Sequence, residues 1–177
     1  MTAVVIGVGN RYRRDDGVGP AVVAQLEALQ LAGVTAVEHD GEPAGLLDLW
    51  SGFPIAVVVD AVHSHAAPPG HVHRVEVDER ASTPHGVPGR AAEPKAGPPA
   101  SHGLGPGDAV ALARVLHRLP DRLVIFGIEG EDFAPGLGLS PPVRNAIEPV
   151  ITAIRAILVP NPTGEVEDRE QQDGQHR

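Results

Sequence analysis

Three short runs of apolar, mostly β-branched residues constrain the fold of this 177-residue chain more than any other feature. They are residues 4–6, 55–59 and 123–128, and none alternates between polar and apolar residues as a strand with one solvated face does. Uninterrupted apolar runs of this length are typical of strands buried on both faces, which occur in parallel sheets covered by helices. We therefore expect a mostly parallel sheet between two helical layers.

The segments between these runs complete an alternating pattern. Residues 34–38 and 72–77 indicate two further strands. Apolar residues recur at helical spacing in residues 22–31, 41–50 and 104–119, and again after Ser140-Pro141-Pro142, which has an N-cap residue and a first-turn proline in the right order. The order β-α-β-α-β-β-α-β-α predicts an α/β fold: a single domain with a twisted, mostly parallel five-stranded sheet and helices on both faces.

Composition sets the limits of this domain. Residues 1–160 are expected to form it, with a proline- and glycine-rich loop at about 80–100 that is too rich in proline to be regular. Residues 161–177 are acidic and lack apolar periodicity, which predicts a disordered tail.

Charge and residue usage exclude several classes of function. The formal net charge of −9 is the wrong sign for a protein that binds nucleic acid through its phosphates. With no cysteine, the chain has no disulfide, thiolate metal site or cysteine nucleophile. No apolar run is long enough to cross a membrane, and no basic segment precedes the first strand as in a signal peptide. We expect a cytoplasmic protein without membrane or nucleic-acid partners.

Candidate functional residues follow the carboxyl ends of the predicted strands, where open α/β sheets bind ligands. Asp15 and Asp16 lie in a glycine-rich loop after the first strand, Asp60 follows the run 55–59, and His102 precedes a predicted helix. Asp16, Asp60 and His102 would meet at one sheet edge. Two carboxylates and one imidazole suit a divalent ion such as nickel, zinc or manganese, without selecting one of them.

Each of these residues also has an alternative explanation. Acids at a helix start commonly complement the positive end of the helix, and an aspartate after a strand often caps a loop. The loop at residues 7–12 resembles a dinucleotide loop, but Tyr12 occupies the third glycine position and the acids would repel a pyrophosphate. His63/His65 and His71/His73 are spaced to share a strand face, but they flank a turn, which favours adventitious metal binding.

Six fragments in order resemble the hydrogenase maturation proteases, which trim the large-subunit precursor of nickel–iron hydrogenases. The fragments are Gly7-Val8-Gly9-Asn10 with Asp15-Asp16-Gly17-Val18-Gly19; Asp40-Gly41 with Gly45-Leu46-Leu47; Val58-Val59-Asp60-Ala61; Ser101-His102-Gly103-Leu104; Gly127-Ile128-Glu129; and Gly138-Leu139-Ser140-Pro141. The resemblance spans residues 4–158 and implies a twisted sheet between helices.

The resemblance also implies a function and a site. The chain would be an aspartic-type or metal-dependent endopeptidase whose metal-binding and catalytic residues are Asp16, Asp60 and His102. Nickel carried by the precursor would be the recognition element, other divalent ions could substitute for it, and the enzyme would be a monomer. Water could be activated by the metal or by a carboxylate. The alternative function is a non-catalytic metal-binding chaperone of the same precursor.

Overall fold

A computed structural model describes residues 2–78 and 106–158 of the chain. Its elements alternate as the sequence predicts. They are β1 (Ala3–Val8), a 3₁₀ turn (Arg14–Gly17), α1 (Val18–Ala28), β2 (Val34–His39), α2 (Pro43–Trp50), β3 (Ile55–Val62), β4 (Val72–Asp78), α3 (Pro106–Val115), β5 (Arg122–Glu129) and α4 (Pro141–Leu158).

The five strands form one sheet in the order β2-β1-β3-β5-β4. β1 pairs in parallel with β2 and β3, and β3 pairs in parallel with β5. Only β4 is antiparallel, at the edge next to β5. The predicted single α/β domain with a mostly parallel five-stranded sheet is confirmed.

Helices cover both faces of the sheet, and each face has its own apolar core. Helices α1 and α4 pack on one face, where Val57 and Val59 of the central strand contribute to the core. Helices α2 and α3 pack on the other face, where Ala56 and Val58 contribute. The two cores explain why residues 55–59 are continuously apolar, since successive side chains enter opposite helical layers.

The described boundaries correct the sequence prediction at two helices. Helix α1 begins at Val18 instead of residue 22, because Pro20 is tolerated in a first turn, where its missing N–H is not needed. Helix α3 ends at Val115 instead of residue 119, and His117 has a φ of 52°, a left-handed conformation typical of the residues that follow a helix.

Strand β3 is longer than predicted. It continues to Val62, so Asp60 lies within the strand instead of after it, directly opposite Gly127 of β5. The polar residue does not end the strand because β5 continues beside it to Glu129 and keeps supplying hydrogen-bonding partners.

Several predicted features lie outside the described residues. They are His102, the whole loop at 80–100, the domain boundary at 160 and the acidic tail at 161–177. Within residues 2–78 and 106–158, none of the helices combines the length and the apolar character that a membrane crossing requires.

Candidate functional site at the carboxyl edge of β1 and β3

The sheet has a topological switch point between β1 and β3. The connection from β1 to β2 runs through α1 on one face, and the connection from β2 back to β3 runs through α2 on the opposite face. The chain leaves β1 toward β2 on one side and leaves β3 toward β4 on the other, so the loops that follow these two strands diverge, and in open α/β sheets such divergence forms a crevice at the carboxyl ends. Ligands of open α/β sheets bind in such crevices.

Two glycines let α1 approach the sheet closely at this crevice. A Cβ on Gly7 would lie 2.2 Å from the Gly19 carbonyl oxygen, and a Cβ on Gly19 would lie 2.3 Å from the Val8 oxygen and 2.7 Å from the Val59 oxygen. The close helix–strand contact that a dinucleotide fold obtains from its third glycine is thus made here by Gly19. Tyr12, at the third glycine position, is 70% exposed.

Asp16 lies in the 3₁₀ turn that links β1 to α1. Its carboxylate Oδ2 accepts a hydrogen bond of 3.0 Å from the Asn10 backbone N–H, which fixes the side chain over the end of β1. Gly9 has a φ of 132°, and a Cβ there would lie 1.9 Å from the Asp16 backbone oxygen. The loop can therefore hold Asp16 in this position only with glycine at residue 9.

Asp60 is half-buried and electrostatically coupled to Asp16. Burial raises the pKa of Asp60 to about 7, with a further contribution from the negative charge of Asp16, while a hydrogen bond from the Ala61 backbone opposes the rise. Such a rise is expected when a carboxylate loses water and faces a second carboxylate. The structure thus brings Asp16 and Asp60 together, as the sequence predicts.

Asp15 has a different role from Asp16. Its fully buried carboxylate accepts hydrogen bonds from the backbone N–H groups of Glu131, Asp132 and Ser140 and from the Ser140 hydroxyl, over 2.7–3.0 Å. Burial alone would raise the pKa of Asp15, but these hydrogen bonds outweigh burial and lower it. Asp15 therefore ties the loop after β1 to the loop after β5, and the two neighbouring aspartates have separate functions.

A second buried carboxylate, Glu129, was not singled out as a site residue from the sequence. It is 2% exposed, accepts hydrogen bonds from the Ser64 backbone and hydroxyl, and lies 2.9 Å from His73 Nε2. Burial would raise the pKa of Glu129, but these hydrogen bonds hold it below its ordinary value. One sequence signal was available, because Glu129 directly follows the apolar run 123–128 just as Asp60 directly follows the run 55–59.

The third predicted site residue, His102, lies outside the described residues. Helix α3 begins four residues later, at Pro106, and packs on the face of the sheet that also carries Asp60, since residues 56, 58 and 60 alternate onto one face. Among residues 2–78 and 106–158, no three histidine, aspartate or glutamate side chains are grouped so as to hold a metal ion. Asp16 and Asp60 alone could offer a metal ion two oxygen donors, fewer than a metal site needs.

Comparison with known proteins gives a consistent set of relatives. The chain is 29% identical over 160 residues to hydrogenase 2 maturation protease of Escherichia coli strain K12, which covers 89% of this chain and 91% of the relative. The solved structure of the hydrogenase maturating endopeptidase HybD from E. coli matches with a TM-score of 0.66 and 27% identity, covering 89% of this chain and 92% of that one.

A more distant structure shows the same fold. The [NiFe] hydrogenase maturation protease HybD from Thermococcus kodakarensis matches with a TM-score of 0.66 and 22% identity, over 89% of this chain and 99% of that one. No family model matches the chain. The alignments cover nearly the full length of each relative, so the similarity extends over a whole domain.

Proposed function

We propose that the chain acts as a hydrogenase maturation protease and removes the C-terminal extension of a nickel–iron hydrogenase large-subunit precursor after nickel insertion, a proposal supported by its similarity to such proteases in sequence and fold. The observation that carries this proposal is the pairing of Asp16 and Asp60 at the switch point of the sheet. Two half-buried carboxylates placed close together repel each other, and a bound cation or proton relieves this repulsion. Such pairs are therefore typical of sites that bind a cation or a proton.

Nickel enters this proposal as part of the substrate. Asp16 and Asp60 offer oxygen ligands and His102 an imidazole, a donor set that suits nickel and other divalent ions without enclosing them. The chain has no cysteine, so it offers no thiolate to extract the ion from its carrier. In this account the enzyme completes the coordination of an ion that the precursor holds and thereby positions the peptide bond for cleavage.

Water is the nucleophile that the residues favour. The chain has no cysteine, and the hydroxyls of Ser51, Ser64 and Ser140, the serines of the described part, each donate a hydrogen bond to a protein acceptor. Ser51 donates to the Leu47 carbonyl, and the other two donate to buried carboxylates. The pKa values of those two carboxyls, Asp15 and Glu129, are held below their ordinary values, so neither is the stronger base that a serine nucleophile requires.

The proposed reaction is hydrolysis of one amide bond. Water adds to the carbonyl carbon and gives up a proton, the bond from that carbon to nitrogen breaks, and the leaving nitrogen takes up a proton. The products are a new carboxylate on the large subunit and a free amine on the released extension. Both aspartates hold the reacting groups together, and one of them accepts the proton of the attacking water and returns it to the leaving nitrogen.

The test is co-expression of the chain with a nickel-loaded precursor, followed by intact-mass measurement of the large subunit. Wild-type protein is expected to shorten the precursor, whereas Asp16→Asn, Asp60→Asn and His102→Gln are expected to leave it at full length. Asp48→Asn is the matched control, because Asp48 is an exposed carboxylate in α2 that pairs with Arg118. This control is expected to process the precursor as wild type does.

Two results would count against the proposal. If wild-type protein forms a stable complex with the precursor and its mass stays unchanged, the chain is a chaperone and not a protease. If Asp16→Asn and Asp60→Asn process the precursor at the wild-type rate, the peptidase centre lies elsewhere.

A further inference from the structure

Two histidines outside the proposed protease centre lie side by side at the start of β4. The rings of His71 and His73 have centroids 4.7 Å apart and planes inclined at 70°. The ring of His71 is exposed, and the side chain of His73 is 37% exposed. Residues two apart in an extended chain lie on the same face, so an ion from solvent can reach the rings of both His71 and His73.

His73 is fixed from behind by Glu129. The Nε2 atom of His73 lies 2.9 Å from a carboxylate oxygen of Glu129, and Glu129 is 2% exposed. A buried, ionised carboxylate can only accept hydrogen bonds, so the proton of the neutral ring stays on Nε2. The other ring nitrogen, Nδ1, is then the unprotonated one and carries a lone pair.

The surroundings of Glu129 make this arrangement rigid. Its carboxylate also accepts hydrogen bonds from the backbone and hydroxyl of Ser64. Its backbone oxygen accepts a hydrogen bond of 2.7 Å from the Gly70 N–H, and its backbone N–H donates to the His71 oxygen at 2.9 Å. Hydrogen bonds to the backbone and to the side chain of Glu129 therefore anchor the segment that carries His71 and His73.

We propose that His71 and His73 form a second metal site, which binds a divalent transition-metal ion such as nickel, copper or zinc, with Glu129 as the carboxylate behind the ligand His73. A histidine that binds metal almost always donates its other ring N–H to a carboxylate or carbonyl, which sets the tautomer and raises the basicity of the ligand. The pair His73–Glu129 has this arrangement already.

The chemistry of the site limits what it can bind. Imidazole ligands favour nickel, copper and zinc over magnesium and calcium, which prefer oxygen. No three metal-ligating side chains are grouped in the part of the chain that the structure describes, so two imidazoles bind the ion and water fills its remaining positions. The site is open and accessible to an exchanging ion.

The second site is separate from the protease centre but shares its sheet face. Asp60, Gly127 and His73 lie opposite one another in a single row across β3, β5 and β4. Two strand spacings separate Asp60 from His73, which is about 10 Å. Gly127 has no side chain, so nothing projects from β5 between them in this row.

The chain contains its own control for this proposal. His63 and His65 have the same spacing, and their rings are closer, with centroids 4.1 Å apart. His63 stacks on Phe133 at 5.1 Å, and among the described residues neither ring has a carboxylate partner. If proximity of two rings were sufficient, this pair would bind an ion at least as well as His71 and His73.

The test is titration of the untagged, full-length protein with nickel(II) alone, followed by calorimetry and by paramagnetic broadening of backbone amide resonances. We expect broadening around residues 71–73 and 127–129. His71→Gln and His73→Gln should each remove it. Glu129→Gln should weaken binding at least tenfold, since loss of an outer carboxylate typically lowers metal affinity 10–100-fold. The double variant His63→Gln/His65→Gln should bind as wild type does.

Two outcomes would overturn the proposal. If Glu129→Gln binds nickel as tightly as wild type, the two exposed rings bind the ion adventitiously. If the double variant at residues 63 and 65 loses the broadening, the other histidine pair is the site. His71→Gln replaces an exposed side chain and keeps the test decisive even where Glu129→Gln fails to fold. Asp16→Asn is expected to keep this binding, so the result does not depend on the protease proposal.

Discussion

Replacing Asp60 by asparagine is expected to stabilise the protein while abolishing its activity. The structure raises the pKa of Asp60 from its ordinary value of 3.8 to about 7, mainly by burial and secondly through the charge of Asp16. The folded protein therefore binds a proton more tightly at this residue than the unfolded chain does. Stability falls as the pH rises through the interval between the two values, because the charged form is disfavoured only in the folded state.

The size of the effect follows from the displacement of the pKa. Each unit by which the pKa is raised corresponds to about 1.4 kcal/mol. The rise of the Asp60 pKa from 3.8 to about 7 therefore destabilises the folded state by about 4 kcal/mol at pH 8. At pH 5 only the first part of this interval has been crossed, and the destabilisation is about 2 kcal/mol. Asparagine has nearly the same shape and no charge, so Asp60→Asn removes the whole contribution.

The assay is urea unfolding of wild type and Asp60→Asn between pH 5 and pH 8. The variant should be more stable by about 2 kcal/mol at pH 5 and by about 4 kcal/mol at pH 8. Other groups that titrate in this range are common to both proteins and cancel in the difference. Asp48→Asn, which removes an exposed ion pair with Arg118, should cost less than about 1 kcal/mol. A gain that is constant with pH, or a loss at pH 8, would refute the reasoning.

Three further predictions concern the same edge of the sheet. Asp16→Asn should lower the pKa of Asp60, as measured by carboxyl carbon NMR titration, because it removes the neighbouring charge; an unchanged pKa would show that the two carboxylates are not coupled. Asp15→Ala should cost about 3 kcal/mol or more in urea unfolding, since it leaves several buried donors without an acceptor, and a cost below 1 kcal/mol would contradict the tie between the loops. Gly19→Ala should destabilise by about 1–3 kcal/mol or more, because its Cβ would meet backbone of β1 and β3 at 2.3–2.7 Å, whereas Gly107→Ala, whose Cβ meets nothing within 4 Å, should be neutral or slightly stabilising.

The sequence predicts those parts of the fold that depend on local patterns. The apolar runs give the strands, and the continuous run at 55–59 indicates that the central strand is covered on both faces, as the two cores confirm. Asp60 was found because a carboxylate directly follows that run. The longer extent of β3 could not be predicted, because its last residues pair with β5, more than 60 residues away in sequence.

The separate roles of Asp15 and Asp16 were not predictable from the sequence. Both are acids at the start of a helix, and their local sequence is the same. The difference depends on Ser140 and on residues 131–132, which are brought to Asp15 by the fold and lie more than 110 residues away. The same reason applies to the contact between His73 and the buried Glu129, which lie 56 residues apart in sequence.

We propose that this chain cleaves a large-subunit precursor and recognises it by its nickel. The most direct test is to mix the purified chain with purified precursor, either loaded with nickel or free of metal, and to measure the intact mass of the large subunit over time. We predict that only the nickel-loaded precursor loses its extension. Equal cleavage of both forms would contradict recognition through nickel, and no cleavage of either form would contradict the protease function.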